Sequence, residues 1–175
     1  MTFSKIIETN RLILRPFTME DVNAMWEVNS DPEVVKYTGE TVTNLEDIRD
    51  RIKNNVLGDY AKYGFGRFAL VWKENKEVIG FTGLKYLEEH KAVDLGYRMK
   101  KSFWGKGIAT ESSRPCLEYG FGELGLDRII ALSMEENIAS IRVMEKLGFK
   151  FEANIIDSLG PAVQYILLKE DFLQG

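Results

Sequence analysis

The stretch that decides the fold is WGKGIATE, residues 104–111, which places two glycines and a lysine between a predicted strand and a predicted helix. LGYRM, residues 95–99, has the composition of a strand, and helical spacing begins at Ile108. The loop should therefore present unpaired backbone amides at a helix N-terminus, where the helix dipole favours an anion. Because Gly105 and Gly107 lack a Cβ, a pyrophosphate can approach their backbone closely. The sequence thus predicts a phosphate-binding loop.

Two other phosphate-binding motifs do not fit this loop. A Walker A loop ends in GK[ST], but Lys106 is followed by Gly107, which offers no hydroxyl to magnesium. A dinucleotide fingerprint needs a third glycine at the position where Thr110 stands. Its ribose-binding acid belongs at the far end of a strand, whereas Asp127 precedes the apolar run RIIAL. Both motifs are therefore rejected as explanations of the loop.

The loop resembles the Q/R-x-x-G-x-G/A loop of the GNAT superfamily of N-acetyltransferases, with Gly107 and Ala109 at matching positions and Trp104 in place of the polar residue. WGKG followed by ATE is similar to the RimJ/RimL-like group of that superfamily. NIASIRVMEKLGF, residues 137–149, resembles the superfamily's N-x-x-A/S-x-x-x-Y-x-x-x-G-F junction of helix and strand. Two further segments resemble the same group, namely ETNRLILRPFTMEDV, residues 8–22, and DPEVVKYTG, residues 31–39. The resemblance covers nearly the whole chain.

The resemblance implies an α/β (α+β) GNAT fold, in which a mixed, largely antiparallel sheet of six to seven strands is flanked by about four helices and splayed between strands four and five. The residues themselves predict strands at 12–15, 67–72, 77–86, 91–99, 128–133, 149–156 and 162–169. Helices are predicted at 18–29, from 44 to Gly58 or Tyr63, after the phosphate loop, and at 137–147. Pro115 is expected to kink or shorten the helix that follows the loop.

Bulk composition predicts one globular domain over residues 1–175, since 45% of the residues are hydrophobic and 29% are charged. The net charge of −4 argues against a nucleic-acid binder and favours cationic substrates. The single Cys116 cannot form an intramolecular disulfide, and no apolar run approaches the roughly 18 residues that span a bilayer. With no signal peptide evident, we expect a cytoplasmic protein without membrane contact. No Cys, His and carboxylate spacing predicts a metal site.

The resemblance implies that the chain moves an acetyl group from acetyl-CoA to a primary amine by direct attack in a ternary complex. The acceptor would be the N-terminus of a protein, such as a ribosomal protein, or a small amine, and the resemblance leaves a homodimer open. The alternative is a noncatalytic acetyl-CoA-binding sensor or interaction module. Met144 motivates that alternative, because it stands where many relatives carry a proton-donating tyrosine.

The resemblance places the cosubstrate-binding residues at the end of the fourth strand, in the loop, and at the start of the helix after the fifth strand. They are Tyr97, Arg98, Met99, Trp104, Gly105, Lys106, Gly107, Ile108, Ala109, Thr110, Asn137 and Ser140. The resemblance also places a bulge that separates the fourth strand from the fifth, near whose end a free backbone N–H polarises the thioester carbonyl. We expect the Met99 N–H to be this donor.

Two proton-transfer roles are less well defined by the sequence. Ser140 is expected either to donate to the leaving thiolate or to serve as a small residue for close helix packing. The candidate bases are Glu111, which fits the ATE signature, and Glu135 and Glu136, while Leu132 stands where some relatives carry a glutamate base. The resemblance further suggests Tyr37 for the acceptor pocket. These residues need a structure to place them.

Overall fold

A computed structural model describes residues 2–175. These residues form one eight-stranded sheet, with the strands β1 Ile7–Glu8, β2 Leu12–Pro16, β3 Arg67–Trp72, β4 Val78–Leu87, β5 Ala92–Met99, β6 Arg128–Met134, β7 Lys150–Asp157 and β8 Gly160–Leu168. The strand order is β1-β2-β3-β4-β5-β6-β8-β7. Neighbouring strands are antiparallel except β5 and β6, which run parallel. The predicted mixed, largely antiparallel sheet is confirmed, with the two-residue β1 as an additional strand.

The described part of the chain contains seven α-helices, several of them short. They are α1 Val22–Asn29, α2 Pro32–Val35, α3 Leu45–Asp50, α4 Leu57–Tyr63, α5 Ile108–Gly122, α6 Ile138–Lys146 and α7 Lys169–Gln174. A π-helical turn, Arg51–Val56, joins α3 to α4, so these three segments form the one continuous helix that the sequence predicted. The single-turn α2 and the C-terminal α7 were not predicted, because each is too short to show an apolar period.

Local capping explains where the first helices begin. The Thr18 side chain accepts a hydrogen bond from the Glu20 N–H, and Asp21 completes a capping box in front of α1. Asn44 accepts from the Asp47 N–H at 3.0 Å and starts α3. Both helix starts were predicted from these residues and are confirmed.

Helix α5 runs through Pro115 for 15 residues, so the expected shortening is wrong. Proline removes one helical hydrogen bond, which costs roughly 3 kcal/mol in an exposed helix interior. Here the helix is buried on one side, where Ile108, Cys116 and Leu117 pack into the core of the sheet. Packing of that face outweighs the lost bond.

Two hydrophobic cores lie on opposite faces of the sheet. Helices α5 and α6 cover the core that contains Leu70, Leu84 and Leu117, and we call this side of the sheet the α5 face. The other core contains Met25 of α1 and Ile48 of α3, and we call this side the α1 face. Within residues 2–175, no helix has the length and apolar character needed to cross a bilayer.

The sheet opens between β5 and β6. Residues 92–99 of β5 pair one for one with residues 80–87 of β4. In the described part of the chain, the register between β5 and β6 consists of one pair, Asp94 with Ile130. The register between β4 and β5 contains no shift, and the nearby shift lies between β3 and β4 at Leu70/Val71. The bulge expected between the fourth and fifth predicted strands, which are β5 and β6, stays a prediction. The strands part beyond Asp94, which leaves the end of β5 open toward β6.

Candidate functional site

The predicted phosphate loop joins the open end of β5 to helix α5. Gly105 and Gly107 have φ values of 70° and 74°, a left-handed conformation that favours glycine. The first helical bond runs from the Glu111 N–H to the Gly107 carbonyl at 2.9 Å, which leaves the preceding amides without a helical partner. Among residues 2–175, a Cβ on Gly107 would meet only the Arg11 guanidinium, at 3.9 Å. The loop thus borders open space.

Side chains of this loop tie it to its surroundings. The Trp104 indole N–H donates to the Met99 carbonyl at 3.0 Å and so connects the loop to the end of β5. The Lys106 side chain is exposed, with its ammonium 5.4 Å from the centre of the Phe103 ring. Ile108 is fully buried and anchors the first turn of α5, where Ala109 and Thr110 are partly buried. Trp104, the departure from the superfamily pattern, therefore has a structural role of its own.

Glu111 is bound by the N-terminal segment of the chain. Its carboxylate accepts from the Thr9 hydroxyl at 2.7 Å, the Arg11 N–H at 3.0 Å and the Arg11 Nε at 2.7 Å. Arg11 Nη2 also donates to the Lys106 carbonyl at 2.8 Å. Burial raises the pKa of Glu111, but the bonds from Thr9 and Arg11 outweigh burial and hold the pKa below its usual value. This geometry indicates that Glu111 holds the loop in position and does not act as a base.

The Met99 N–H points into the gap between β5 and β6. The Lys100 N–H donates to the Ile79 carbonyl at 2.8 Å, toward β4. Successive peptide groups in a strand alternate in direction, so the N–H and carbonyl of Met99 face away from β4. The bond from Trp104 to the Met99 carbonyl agrees with this direction. Met99 therefore presents a backbone donor where the sheet is open.

Tyr97 and Ser140 meet across the α5 face of this gap. The Tyr97 hydroxyl lies 3.0 Å from Ser140 Oγ and 3.1 Å from the Ser140 carbonyl oxygen. Asn137 caps α6 by accepting from the Ser140 N–H at 3.3 Å. Burial raises the pKa of Tyr97 to about 12, which keeps its hydroxyl protonated. Met144 is buried in the core and offers no donor.

Arg98 points to the α1 face, because alternate side chains of a strand face opposite ways. Its guanidinium donates to Asn29 of α1 and to Glu40 at 2.6 Å. Glu40 also pairs with Arg51 at 2.7 Å. Burial raises the pKa of Glu40, but Arg98 and Arg51 outweigh burial and lower it. Arg98 thus lies on the side away from Tyr97 and fixes the segment that follows α2.

The segment 36–44, which follows α2, holds Tyr37. Tyr37 is partly buried, and the Lys36 ammonium lies 4.8 Å from the centre of its ring. A Cβ on Gly39 would come within 3.2 Å of Leu159, so this segment touches the turn between β7 and β8. Through Glu40 it also reaches β5. Tyr37 therefore lies in a segment that extends from β5 to the β7–β8 turn.

A cleft of about 620 Å³ lies between the π-helical turn, α4, the β4–β5 hairpin and β6. Four of its lining side chains are carboxylates and two are lysines, namely Asp59, Glu88, Glu89, Asp157, Lys62 and Lys85. Leu132 of β6 also lines this cleft, while Tyr37 is not among the lining residues. Glu135 and Glu136 are exposed in the turn between β6 and α6. Within residues 2–175, no group of three or more His, Cys, Asp or Glu side chains could hold a metal ion.

The closed end of the gap is held by an ion pair between Arg67 and Asp94. Arg67 Nη2 lies 2.5 Å from Asp94 Oδ2, and the two side chains are only 14% and 10% exposed. The guanidinium lies over Gly96, where a Cβ would approach Nη2 to 2.5 Å. Burial raises the pKa of Asp94, while Arg67 and the Leu132 N–H oppose that shift. The pair joins β3, β5 and β6 at the point where β5 and β6 meet.

The open sheet and its phosphate loop define the protein as a GNAT-type transferase, and the sequence comparisons agree. The family described as Acetyltransferase (GNAT) domain matches residues 11–150. The chain belongs to this family. It is an N-acetyltransferase, like its relative named as the uncharacterized N-acetyltransferase p20 of Bacillus licheniformis, which is 36% identical over 152 residues that cover 85% of this chain and 84% of that protein.

Solved structures share the architecture. A GNAT-family acetyltransferase from Bacillus anthracis superposes with a TM-score of 0.81 at 32% identity, covering 95% of this chain and 99% of that one. RimL, a ribosomal L7/L12 α-N-protein acetyltransferase in complex with coenzyme A, has a TM-score of 0.79 at 20% identity, covering 94% of this chain and 98% of that one. At 20% identity, the similarity to RimL shows a shared fold.

Proposed function

We propose that the protein transfers the acetyl group of acetyl-CoA to a primary amine by direct attack in a ternary complex. The observation that carries this proposal is the continuity of the site, in which Trp104 ties the Gly107 loop to the Met99 carbonyl, next to the Met99 N–H that faces the gap. One end of this path offers amides to a pyrophosphate, and the other offers a donor to a carbonyl oxygen. Acetyl-CoA carries both groups.

Each residue then has a physical task. The amides after Gly107 and the Lys106 charge bind the pyrophosphate. The Met99 N–H donates to the thioester oxygen as negative charge develops there, and a donor of this kind typically contributes roughly 2.7 to 4 kcal/mol. Asn137 and Ser140 at the start of α6 border the same gap. The amine approaches from the α1 face, where Arg98 and the segment 36–44 lie.

The charges of the cleft and one solved structure support two classes of acceptor. Carboxylates outnumber lysines along the cleft, which favours an acceptor that carries positive charge besides the reacting amine. The RimL structure belongs to an enzyme that acetylates a protein N-terminus, and its fold is shared. We therefore propose the N-terminus of a protein or a small polyamine as the two acceptor classes to compare first.

Release of the CoA thiol with a panel of amines tests the proposed function. The panel contains a polyamine, an amino-acid amide and peptides with free N-termini. Thermal stability is measured in parallel with acetyl-CoA, CoA, ATP and NAD, since a ligand at 100 times its Kd stabilises by roughly 2.7 kcal/mol. Stabilisation by the two CoA species together with thiol release supports the proposal. Tight binding without turnover would instead favour a sensor, and stabilisation by NAD alone would reject the CoA site.

Replacing Glu111 by alanine should affect binding more than chemistry. We expect the Kd for acetyl-CoA to rise about tenfold, because the charge-assisted bonds that hold Arg11 beside the loop are lost. The kcat at saturation should fall much less than the roughly 100-fold or more that the loss of a general base costs. Glu118→Ala, an exposed change on the same helix, is the matched control. A large loss of kcat with unchanged Kd would restore Glu111 as the base.

A further inference from the structure

We propose that Tyr97 donates the proton that the leaving CoA sulfur requires, and that Ser140 relays a proton to Tyr97. This inference rests on the proposed function of the site. The tyrosine that many relatives use is replaced by Met144, whose thioether cannot donate. The structure supplies another phenol from a different element, on β5 instead of α6.

Position along β5 supports Tyr97. Tyr97 and Met99 are two residues apart in one strand, so their side chains lie on the same face, with the residues separated by roughly 6.6 to 6.8 Å. The sulfur and the carbonyl oxygen of a thioester are bonded to the same carbon. A donor to the sulfur must therefore lie close to the Met99 N–H that donates to the oxygen. Tyr97 is the hydroxyl-bearing residue two positions before Met99, and its hydroxyl reaches the first turn of α6.

Other hydroxyls near the α5 face are less suited. Tyr165 on β8 donates to Glu145 at 3.4 Å, away from the start of α6. Thr82 and Ser113 are fully buried and lie 3.5 Å from each other. These groups already have partners outside the gap. Tyr97 and Ser140 are the hydroxyl pair that borders it.

The hydrogen-bond inventory of the pair defines the direction of proton movement. The Ser140 carbonyl can only accept, so the Tyr97 O–H donates to it, and the Ser140 O–H donates to the Tyr97 oxygen. When CoA is bound, the Tyr97 O–H turns from this carbonyl to the sulfur, while the bond from Ser140 to the Tyr97 oxygen is kept. Ser140 is partly exposed and can exchange protons with water. Burial raises the pKa of Tyr97 to about 12, so the phenol stays protonated throughout the neutral range and can donate a hydrogen bond to the sulfur as negative charge develops there.

Atoms and electrons balance in this transfer. The amine nitrogen forms the C–N bond with its lone pair, and the carbonyl π pair moves to the oxygen that the Met99 N–H holds. Return of this pair breaks the C–S bond, whose electrons go to sulfur. Sulfur takes the Tyr97 proton, Tyr97 takes the Ser140 proton, and water restores Ser140, while the new amide nitrogen loses its extra proton to water. The products are the acetylated amine and the CoA thiol.

Binding of CoA and of desulfo-CoA, which lacks the sulfur, tests Tyr97 without turnover. At pH 9, where a thiol of pKa about 8.5 is largely ionised, the wild-type protein should bind CoA about tenfold more tightly than desulfo-CoA, as a bond to a charged acceptor predicts. Tyr97→Phe should bind the two ligands equally. Tyr165→Phe, a buried tyrosine on the same face, should keep the preference. A preference that survives in Tyr97→Phe overturns the inference.

Turnover provides the second test. With the best amine of the panel, Tyr97→Phe should lower kcat about 100-fold, a typical loss for a general acid. The Kd of Tyr97→Phe for acetyl-CoA should stay within about threefold of the wild-type value, which is a difference in binding free energy below 1 kcal/mol. Ser140→Ala should lower wild-type kcat about tenfold and lower that of Tyr97→Phe no further, because residues of one relay are not additive.

The outcomes separate this inference from the proposed function. Wild-type kcat in Tyr97→Phe, or a loss of acetyl-CoA affinity alone, overturns the role of Tyr97 as donor. If the wild-type protein acetylates no amine, the proposed function fails, and the comparison of CoA with desulfo-CoA still decides whether Tyr97 contacts the sulfur.

Discussion

Replacing Gly107 by valine is expected to weaken acetyl-CoA binding at least about 100-fold, or roughly 2.7 kcal/mol. Gly107 adopts a φ of 74°, where a β-branched residue is strained, and it caps α5, whose first amides are proposed to bind the pyrophosphate. A side chain there would project into the space that the pyrophosphate needs. Isothermal titration calorimetry with acetyl-CoA measures the loss.

The control for Gly107 must carry the same backbone strain elsewhere. Gly125 has a φ of 65° and follows the far end of α5, and among the described residues nothing lies close to where its Cβ would be. Gly125→Val should therefore lose stability of about 1 to 2 kcal/mol, as Gly107→Val does, while its acetyl-CoA affinity stays near wild type. Circular dichroism checks that both variants fold. If Gly107→Val and the wild-type protein bind acetyl-CoA with equal affinity, the assignment of the phosphate loop is wrong.

Replacing Arg67 by methionine should destabilise the protein by about 3 to 5 kcal/mol, because it leaves the buried Asp94 carboxylate without its charged partner. Urea denaturation measures the free energy of unfolding. Arg49→Met removes an exposed arginine from its pair with Glu46 and should cost less than about 1 kcal/mol. Adding Asp94→Leu to Arg67→Met should recover part of the loss, since no buried charge remains.

The pH dependence of Arg67→Met has a definite sign. Burial already raises the pKa of Asp94 in the native protein, and removing Arg67 removes an opposing influence. A carboxyl whose folded pKa is raised favours the folded state at low pH, and this contribution is lost as the pH rises through the folded pKa. The difference in stability between Arg67→Met and wild type should therefore narrow as the pH falls toward about 4, near the unperturbed pKa of an aspartate. A difference that does not change with pH would mean that Asp94 is not the group left unpaired.

Features encoded in short stretches were predictable from the sequence. Thr18 and Asn44 cap helices through bonds to residues two or three positions ahead, so the side chain and its partner lie in one window. The Gly107 loop is likewise a local pattern between strand and helix. Resemblance to the GNAT superfamily extended these local patterns to the whole fold. The family match over residues 11–150 confirms that extension.

Contacts between distant residues had no such signal. Arg11 binds Glu111 across 100 positions of the chain, and Tyr97 meets Ser140 across 43. In the sequence alone, Glu111 and Tyr97 are each compatible with many roles. Their partners are set by the fold of the sheet, which brings distant parts of the chain together. The continuation of α5 through Pro115 was not predicted for a related reason, since packing of α5 against the sheet is a tertiary effect that local helix propensity does not include.

The bond from Trp104 to the Met99 carbonyl has a consequence for the choice of acyl donor. In the proposed complex, one continuous piece of backbone would contact both the nucleotide end and the thioester end of acetyl-CoA. Binding energy gained far from the reacting carbon would then help to order the end of β5 that carries the Met99 N–H, which raises kcat as well as affinity. Short acetyl thioesters without the nucleotide, such as acetylpantetheine, should then be poor donors even at saturation. We therefore expect the Trp104 indole to favour the whole coenzyme over short acetyl thioesters.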